Sequence, residues 1–241
     1  MIVFQTKNKK HSMSIESMGC RVTELVLNQK KIFWSGIRPD GKPASTHPCL
    51  PNFGLITKGP LKALPQHGPA RNQEWQLIKT SPLTYQWQME PIDGFYPKGL
   101  VTIRQFELSE AGEFKFELIL ENQGRKSIRA NPGEHIYFNC AYNLRKQVRI
   151  NDTSVDPKSW ETTIYLPLNQ GENRLYIPTI GKLCLTVSRY TKCACWSVPN
   201  ACFICIEPIG GEPNEIYDYQ FEIKPGRTVL YALVLKQDST H

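Results

Sequence analysis

The chain is 241 residues long, with 29 Lys and Arg against 22 Asp and Glu for a net charge of +7, and it is 40% hydrophobic and 21% charged. That is enough apolar chain for one sizeable core, which excludes an intrinsically disordered protein. No apolar run approaches the ~20 residues of a bilayer-crossing helix, and residues 1–14 lack the apolar centre of a secretory signal, so no membrane association and a cytoplasmic location are expected. The basic surplus admits an anionic ligand, but the basic residues are scattered over the sequence. That pattern reads as solvated surface and argues against nucleic acid.

Taken in order, 19–27 alternates apolar and polar residues and precedes a turn at Asn28-Gln29-Lys30 and the apolar Ile32-Phe33-Trp34, the pattern of a hairpin. Residues 36–66 hold six prolines and four glycines, which predicts an extended loop region. Strands are predicted again at 76–78 and 84–89, with Asp93-Gly94 as a turn. Two longer strands, 100–108 and 113–120, flank a hairpin turn at Ser109-Glu110-Ala111-Gly112. Further strands are expected near 147–151, 162–166, 173–177, 183–190, 193–198 and 202–206. A closing pair at 216–223 and 228–236 is joined by Lys224-Pro225-Gly226-Arg227. No stretch sustains a helical period, and neither an internal repeat nor a domain boundary is visible. The expected architecture is all-β: a large sandwich of packed antiparallel sheets in one domain over 1–241.

Eight cysteines without a secretory signal are expected as reduced thiols. Four of them, Cys193-x-Cys195 and Cys202-x-x-Cys205, are enough to hold zinc tetrahedrally. Their short spacing and strand-like surroundings favour core packing instead.

Three segments carry residues suited to chemistry. Leu64-Pro65-Gln66-His67-Gly68-Pro69-Ala70-Arg71-Asn72-Gln73-Glu74-Trp75 cannot run as a helix, because its prolines fix φ and remove donors. A stiff loop of this kind can hold an imidazole and a guanidinium side by side. Asn131-Pro132-Gly133-Glu134-His135-Ile136-Tyr137-Phe138 places His135 near the start of a strand, where an imidazole titrating near neutral pH can serve as general acid. Phe203-Ile204-Cys205-Ile206-Glu207-Pro208-Ile209-Gly210-Gly211 ends an apolar strand on a carboxylate. Partial desolvation at such a sheet rim would raise the pKa of Glu207 towards that of a general base. Each side chain read alone is also compatible with a structural role: a surface-loop His67, a packed His135, a rim Glu207 paired to an Arg.

Read together and in order, Gly19-x-Arg21-Val22-x-Glu24-Leu25, His67-Gly68-x-x-Arg71 with Trp75, His135-x-Tyr137-Phe138, Cys205-Ile206-Glu207-Pro208 and the closing Lys224-Pro225-Gly226 resemble the galactose mutarotase-like superfamily. The likeness is to aldose 1-epimerases and, more closely, to the compact branch that includes glucose-6-phosphate 1-epimerases; it extends over about residues 15–236. It implies a β-supersandwich that interconverts the α and β anomers of a hexose or hexose phosphate, with no cofactor and no metal, as a monomer or weak dimer. By position it implies Glu207 as general base and His135 as general acid, with His67 and Arg71 hydrogen-bonding the sugar hydroxyls. Gln66 beside them is a further candidate for substrate contact, and Asp152 lies in a suitable region for the substrate-gripping acid but without a matching motif around it. A non-catalytic carbohydrate-binding protein on the same fold is the alternative. The sequence departs from the phosphate-sugar members at 44–54, which ends in the expected Pro51-Asn52-Phe53-Gly54 but lacks the phosphate-holding Arg. Arg38, Lys42 and Lys62 are the nearby cations that could take its place.

Overall fold

The computed structural model describes residues 3–7 (backbone only), 10–91, 96–155 and 162–238. The turn expected at Asp93-Gly94 lies outside them. Among the described residues the chain is built from antiparallel strands joined by loops and short 3-10 turns. The longest sheet has nine strands, with Thr228–Gln237, Glu113–Asn122 and Leu100–Leu108 side by side near its middle. Glu113–Asn122 shows why these residues form a strand: Phe114, Phe116, Leu118 and Leu120 are buried, and the residues between them are at least partly exposed down to Glu121. The expected turn at 109–112 joins it to Leu100–Leu108 in register from Leu108↔Phe114 to Leu100↔Asn122.

A second layer is a six-stranded sheet built on Phe203–Ile209. Lys192–Trp196 and then Ile164–Pro167 lie on one side; Gly133–His135, Tyr137–Asn139 and His47–Cys49 lie on the other. A four-stranded sheet made by Val3–Lys7, Ser12–Glu16, Arg21–Leu27 and Lys30–Lys31 adjoins this layer through the bridges Val22↔Thr46 and Phe33↔Phe138. The apolar space between the layers is filled by residues such as Phe106, Phe116, Ile136, Cys193, Cys195, Ile204 and Ile206. This is the expected all-β sandwich of antiparallel sheets.

Two expectations are corrected, and the reading of the cysteines as core residues and not a zinc site is met by three of the four. Residues 216–223 do not form a strand paired with 228–236. Pro213–Tyr217 and Tyr219–Phe221 coil into 3-10 turns, and the two strand residues that follow, Glu222–Ile223, pair with Ile128–Arg129. Ile216 and Phe221 are buried there, Ile216 in the main core and Phe221 against Gly210 and Gly211. The proline-rich stretch 36–66 is not loop throughout, since His47–Cys49 is an edge strand of the six-stranded sheet. The four clustered thiols do not converge. Cys193 and Cys195 face the space between the layers with their sulfurs 3.9 Å apart, Cys205 faces the opposite side of the sheet, and Cys202 is exposed.

Candidate active site

Side chains alternate along a strand, so each strand of the six-stranded sheet sends one residue in two away from the core. Register then lines these residues up in rows across the sheet. His47 pairs with His135, Glu207 pairs with Ala194, and Ala194 pairs with Tyr165. The pairs Gly133↔Ile209 and Tyr137↔Cys205 put His135 opposite Glu207. One row therefore reads His47, His135, Glu207, Ala194, Tyr165. Directly opposed residues have Cβ atoms about 4.5–5.5 Å apart, and here His135 Nε2 lies 3.6 Å from Glu207 Oε1. The next row contributes Tyr137, Cys205 and Trp196. Ala194 is the small, fully buried member of the row beside the carboxylate.

Glu207 was expected at a strand end on the sheet rim. It lies instead inside a strand whose seven residues are all buried, with 2% of its surface exposed. Pro208 fits within that strand because Gly133–His135 and Tyr137–Asn139 are separate short strands on that flank, and their ladder is interrupted opposite 206–208.

The loop 65–75 overhangs this floor. Gly19 N–H donates to the Gln73 carbonyl at 2.6 Å, Arg21 Nη2 to the Arg71 carbonyl at 2.8 Å, and Trp75 N–H to the Ser17 carbonyl at 3.0 Å. The segment 17–21 thus buckles the loop down, and a Cβ on Gly19 would collide with the Arg71 carbonyl. His67 has φ 61°, a left-handed conformation in which His is among the less disfavoured residues. It is held there by a reciprocal pair: its N–H donates to the Gly54 carbonyl at 2.9 Å, and Gly54 N–H donates to His67 Nδ1 at 3.2 Å. Gly68 is required next to it, since any Cβ would meet the Leu50 carbonyl. Trp75 is a core residue stacked on Trp87, with its indole N–H on the Ala70 carbonyl at 3.0 Å.

The result is a hollow of about 440 Å³ lined by His135, Glu207, His67, Arg71 and Gln66 together with Tyr137, Trp196, Tyr165, Arg38 and Lys42. That is within the range of small-molecule sites, about 300–1,000 Å³. The aromatic rings of Tyr137 and Trp196 line it, and that of Trp75 does not. Asp152 is not brought to the site. It is the second residue of a tight turn between Arg149–Ile150 and Thr153–Ser154, with φ 65°, at an edge of the nine-stranded sheet. Asn151 and Asp152 both take left-handed φ there, so hairpin geometry explains the residue types. Lys62 is not among the lining residues, whereas Arg38 and Lys42 are. The Arg38 guanidinium lies 4.8 Å from the Trp196 ring centre and 2.7 Å from Asp40. Tyr165 was not anticipated; only the register of its strand brings it in.

Burial dominates the electrostatics. It pushes the Glu207 carboxyl well above the usual carboxylate range. Burial, then the neighbouring imidazoles and the Arg71 and Arg38 guanidiniums, hold His135 well below the usual histidine value. His67 is lowered to about 3 by burial and by Arg71. Because Nδ1 of His67 accepts from Gly54, the neutral ring carries its proton on Nε2 and is a donor there. Donor atoms of His67, His135 and Glu207 lie within 4.8 Å of one another, close enough for one metal ion. The tautomer of His67 opposes that use, since Nε2 could ligate only by giving up its proton.

A family model described as aldose 1-epimerase matches residues 40–174, more than half of the chain. No curated protein matches significantly by sequence. Among solved structures, a galactose mutarotase-like protein from Lactobacillus casei ATCC 334 superposes with a TM-score of 0.77 at 17% identity, covering 98% of this chain and 99% of that one. A galactose mutarotase related enzyme from Lactobacillus acidophilus gives 0.77 at 14%, covering 99% and 98%. The GalM/aldose epimerase homologue from C. elegans gives 0.71 at 10%, covering 98% of both chains. At these identities the structures establish the shared galactose mutarotase-like fold. The match of the sequence to the family model goes further: the chain belongs to the aldose 1-epimerase family.

Proposed function

We propose that the protein interconverts the α and β anomers of a hexose, with Glu207 and His135 exchanging protons with the sugar. The observation that carries this reading is the 3.6 Å approach of His135 Nε2 to Glu207 Oε1 on the floor of a hollow that His67 and Arg71 also line. Ring opening needs one proton removed and another delivered at two oxygens of one sugar. Glu207 as carboxylate takes the proton of the anomeric hydroxyl. The electron pair of that O–H bond forms the carbonyl, the bond from the anomeric carbon to the ring oxygen breaks, and His135 delivers its Nε2 proton to the ring oxygen. The freed aldehyde rotates and the same steps run backwards on its other face. The pair holds one proton throughout, passing from carboxylate–imidazolium to carboxylic acid–imidazole. Burial favours the uncharged forms of both groups, and so favours the carboxylic acid–imidazole state of the pair. His67 Nε2–H and Arg71 are donors to sugar oxygens, and Tyr137 and Trp196 offer faces for its C–H surface.

A phosphorylated hexose is the preferred substrate in this reading. Arg38, Lys42 and Arg71 line the hollow, against Glu207 as the one acid among the described lining residues. Arg38 and Lys42 come from the turn between Gly36–Ile37 and Pro43–Ala44, and a phosphate there replaces part of their interaction with Asp40. The test is NMR exchange between anomers of glucose, galactose and glucose 6-phosphate, with the spontaneous rate subtracted. Acceleration of glucose 6-phosphate exchange by wild type and none by Glu207→Gln is expected. Equal rates in the two proteins would sink the assignment.

A further inference from the structure

Beside Glu207 and His135 the row carries a second imidazole, His47, to which ring opening assigns no step. It lies opposite His135 in register, on the edge strand His47–Cys49. The two imidazoles stack, with ring centres 4.8 Å apart and planes 24° from parallel. His47 is 3% exposed and does not line the hollow. Its Nδ1–H donates to the Ser45 carbonyl at 2.8 Å, so the neutral ring has its lone pair on Nε2, and that atom is buried without a hydrogen-bond partner among the described residues. An unpaired buried nitrogen is destabilising, a cost that an apolar side chain of similar volume would not carry. A stability role alone does not account for an imidazole here.

We propose that His47 is a positioning residue for proton exchange at His135. Tied to Ser45, its ring acts as a flat buttress that holds the His135 imidazole at the angle presenting Nε2 to Glu207. It also offers a neutral, polarisable face on which the His135 imidazolium forms. The need for a buttress is visible in the surroundings of His135. Tyr137 stacks on it at 4.7 Å and 12°, while His67 and Trp196 meet it edge-on at 5.0 and 6.2 Å. Among the described residues its Nδ1 has no hydrogen-bond partner to orient the ring, in contrast with the usual arrangement of an active-site histidine. Among the described residues Glu207 is the one acid facing it; burial, then His47 and His67 whenever they are charged, and the Arg71 and Arg38 guanidiniums disfavour a charge there. Stacking on His47 and Tyr137 is therefore what fixes the ring. Burial, with Arg21 nearby, keeps His47 itself uncharged.

This inference rests on the Glu207–His135 reading, and the experiment separates the two. His47→Leu fills similar volume without a flat face; His47→Phe restores the face. In His47→Leu we expect kcat for anomer exchange to fall about tenfold to a hundredfold, as for a small misplacement of a reacting group. KM should change less than twofold, because His47 does not touch the hollow. His47→Phe should recover most of the loss. Nitrogen-15 NMR of the histidine rings supplies a readout independent of turnover: the His135 signals should move in His47→Leu and return towards wild type in His47→Phe. Unchanged kcat and unchanged His135 signals in His47→Leu would overturn the proposal. So would equal losses in both variants, or a rise in KM with kcat intact. If wild type itself exchanges no sugar, the reading of Glu207 and His135 fails, and the NMR comparison still decides whether His47 orients the ring.

Discussion

Two carboxylates on opposite faces of the six-stranded sheet share the same degree of burial and face opposite fates. Glu134 and Glu207 are each 2% exposed. Glu134 points between the layers and meets Arg104 Nη2 at 2.5 Å, and Arg104 also donates to the Cys20 carbonyl. Even so, desolvation outweighs the guanidinium and lifts Glu134 to about 7. Glu207 points the other way, meets no cation among the described residues except His135 when that ring is protonated, and borders open space. Burial with a permanent counter-charge makes a structural tie; burial with a titratable partner and room for a ligand makes a proton-transfer group. Neighbouring residues on one strand, Glu134 and His135, serve these two ends because alternation sends them to opposite faces.

The comparison breaks most sharply at Glu207. Glu207→Gln should reduce anomer exchange to the spontaneous rate while leaving the melting temperature equal to or above that of wild type, since a buried group that disfavours its charge is replaced by a neutral isostere. Loss of folding in this variant would make Glu207 structural after all. His135→Gln should cost about 10²- to 10⁴-fold in kcat, the usual worth of a positioned acid. On the other face the effect should be on stability: Arg104→Met leaves Glu134 unpaired and should lower unfolding free energy by about 3–5 kcal/mol in urea titrations. The folded fraction of that variant should retain wild-type KM, and a raised KM would show that the two faces are coupled. Arg38→Ala should raise KM for glucose 6-phosphate about tenfold, the worth of one hydrogen bond to a charged group, and leave glucose unaffected. The smallest effect concerns pH. His67 is neutral in the folded protein down to about 3 but titrates near 6.5 when unfolded. The unfolded state therefore binds the extra proton between these values, and the stability His67 permits above 6.5 is lost as pH falls towards 3. The stability of His67→Gln relative to wild type should accordingly rise as pH is lowered from 7.5 to 5. A difference independent of pH would contradict a neutral buried His67.

Some of this was legible without coordinates. Glu113–Asn122 and its turn at 109–112 follow from period-two burial and a glycine-containing connection, both local properties. Arg71 and His67 could be singled out because prolines and Gly68 mark a stiff loop. The segment 216–223 could not be read, because the apolar Ile216, Tyr217 and Phe221 fit a half-buried strand as well as a coil of 3-10 turns. What tips it is remote: Lys192 meets Glu212 at 2.7 Å and Glu215 at 2.8 Å, closing the coil against the neighbouring strand. Asp152 misled for the opposite reason, since a two-residue turn selects Asn and Asp for φ rather than for ligands.

By itself the sequence determined what short-range physics determines: strand periodicity, turn chemistry, an all-β chain, and the residue types capable of acid and base work. Only the tertiary structure decided which of them meet. The row His47, His135, Glu207, Ala194, Tyr165 joins five strands from 47 to 207, and a slip of one residue in any pair would send a side chain to the other face. Register between distant strands is a property of the assembled sheet, and no local signal in the chain encodes it.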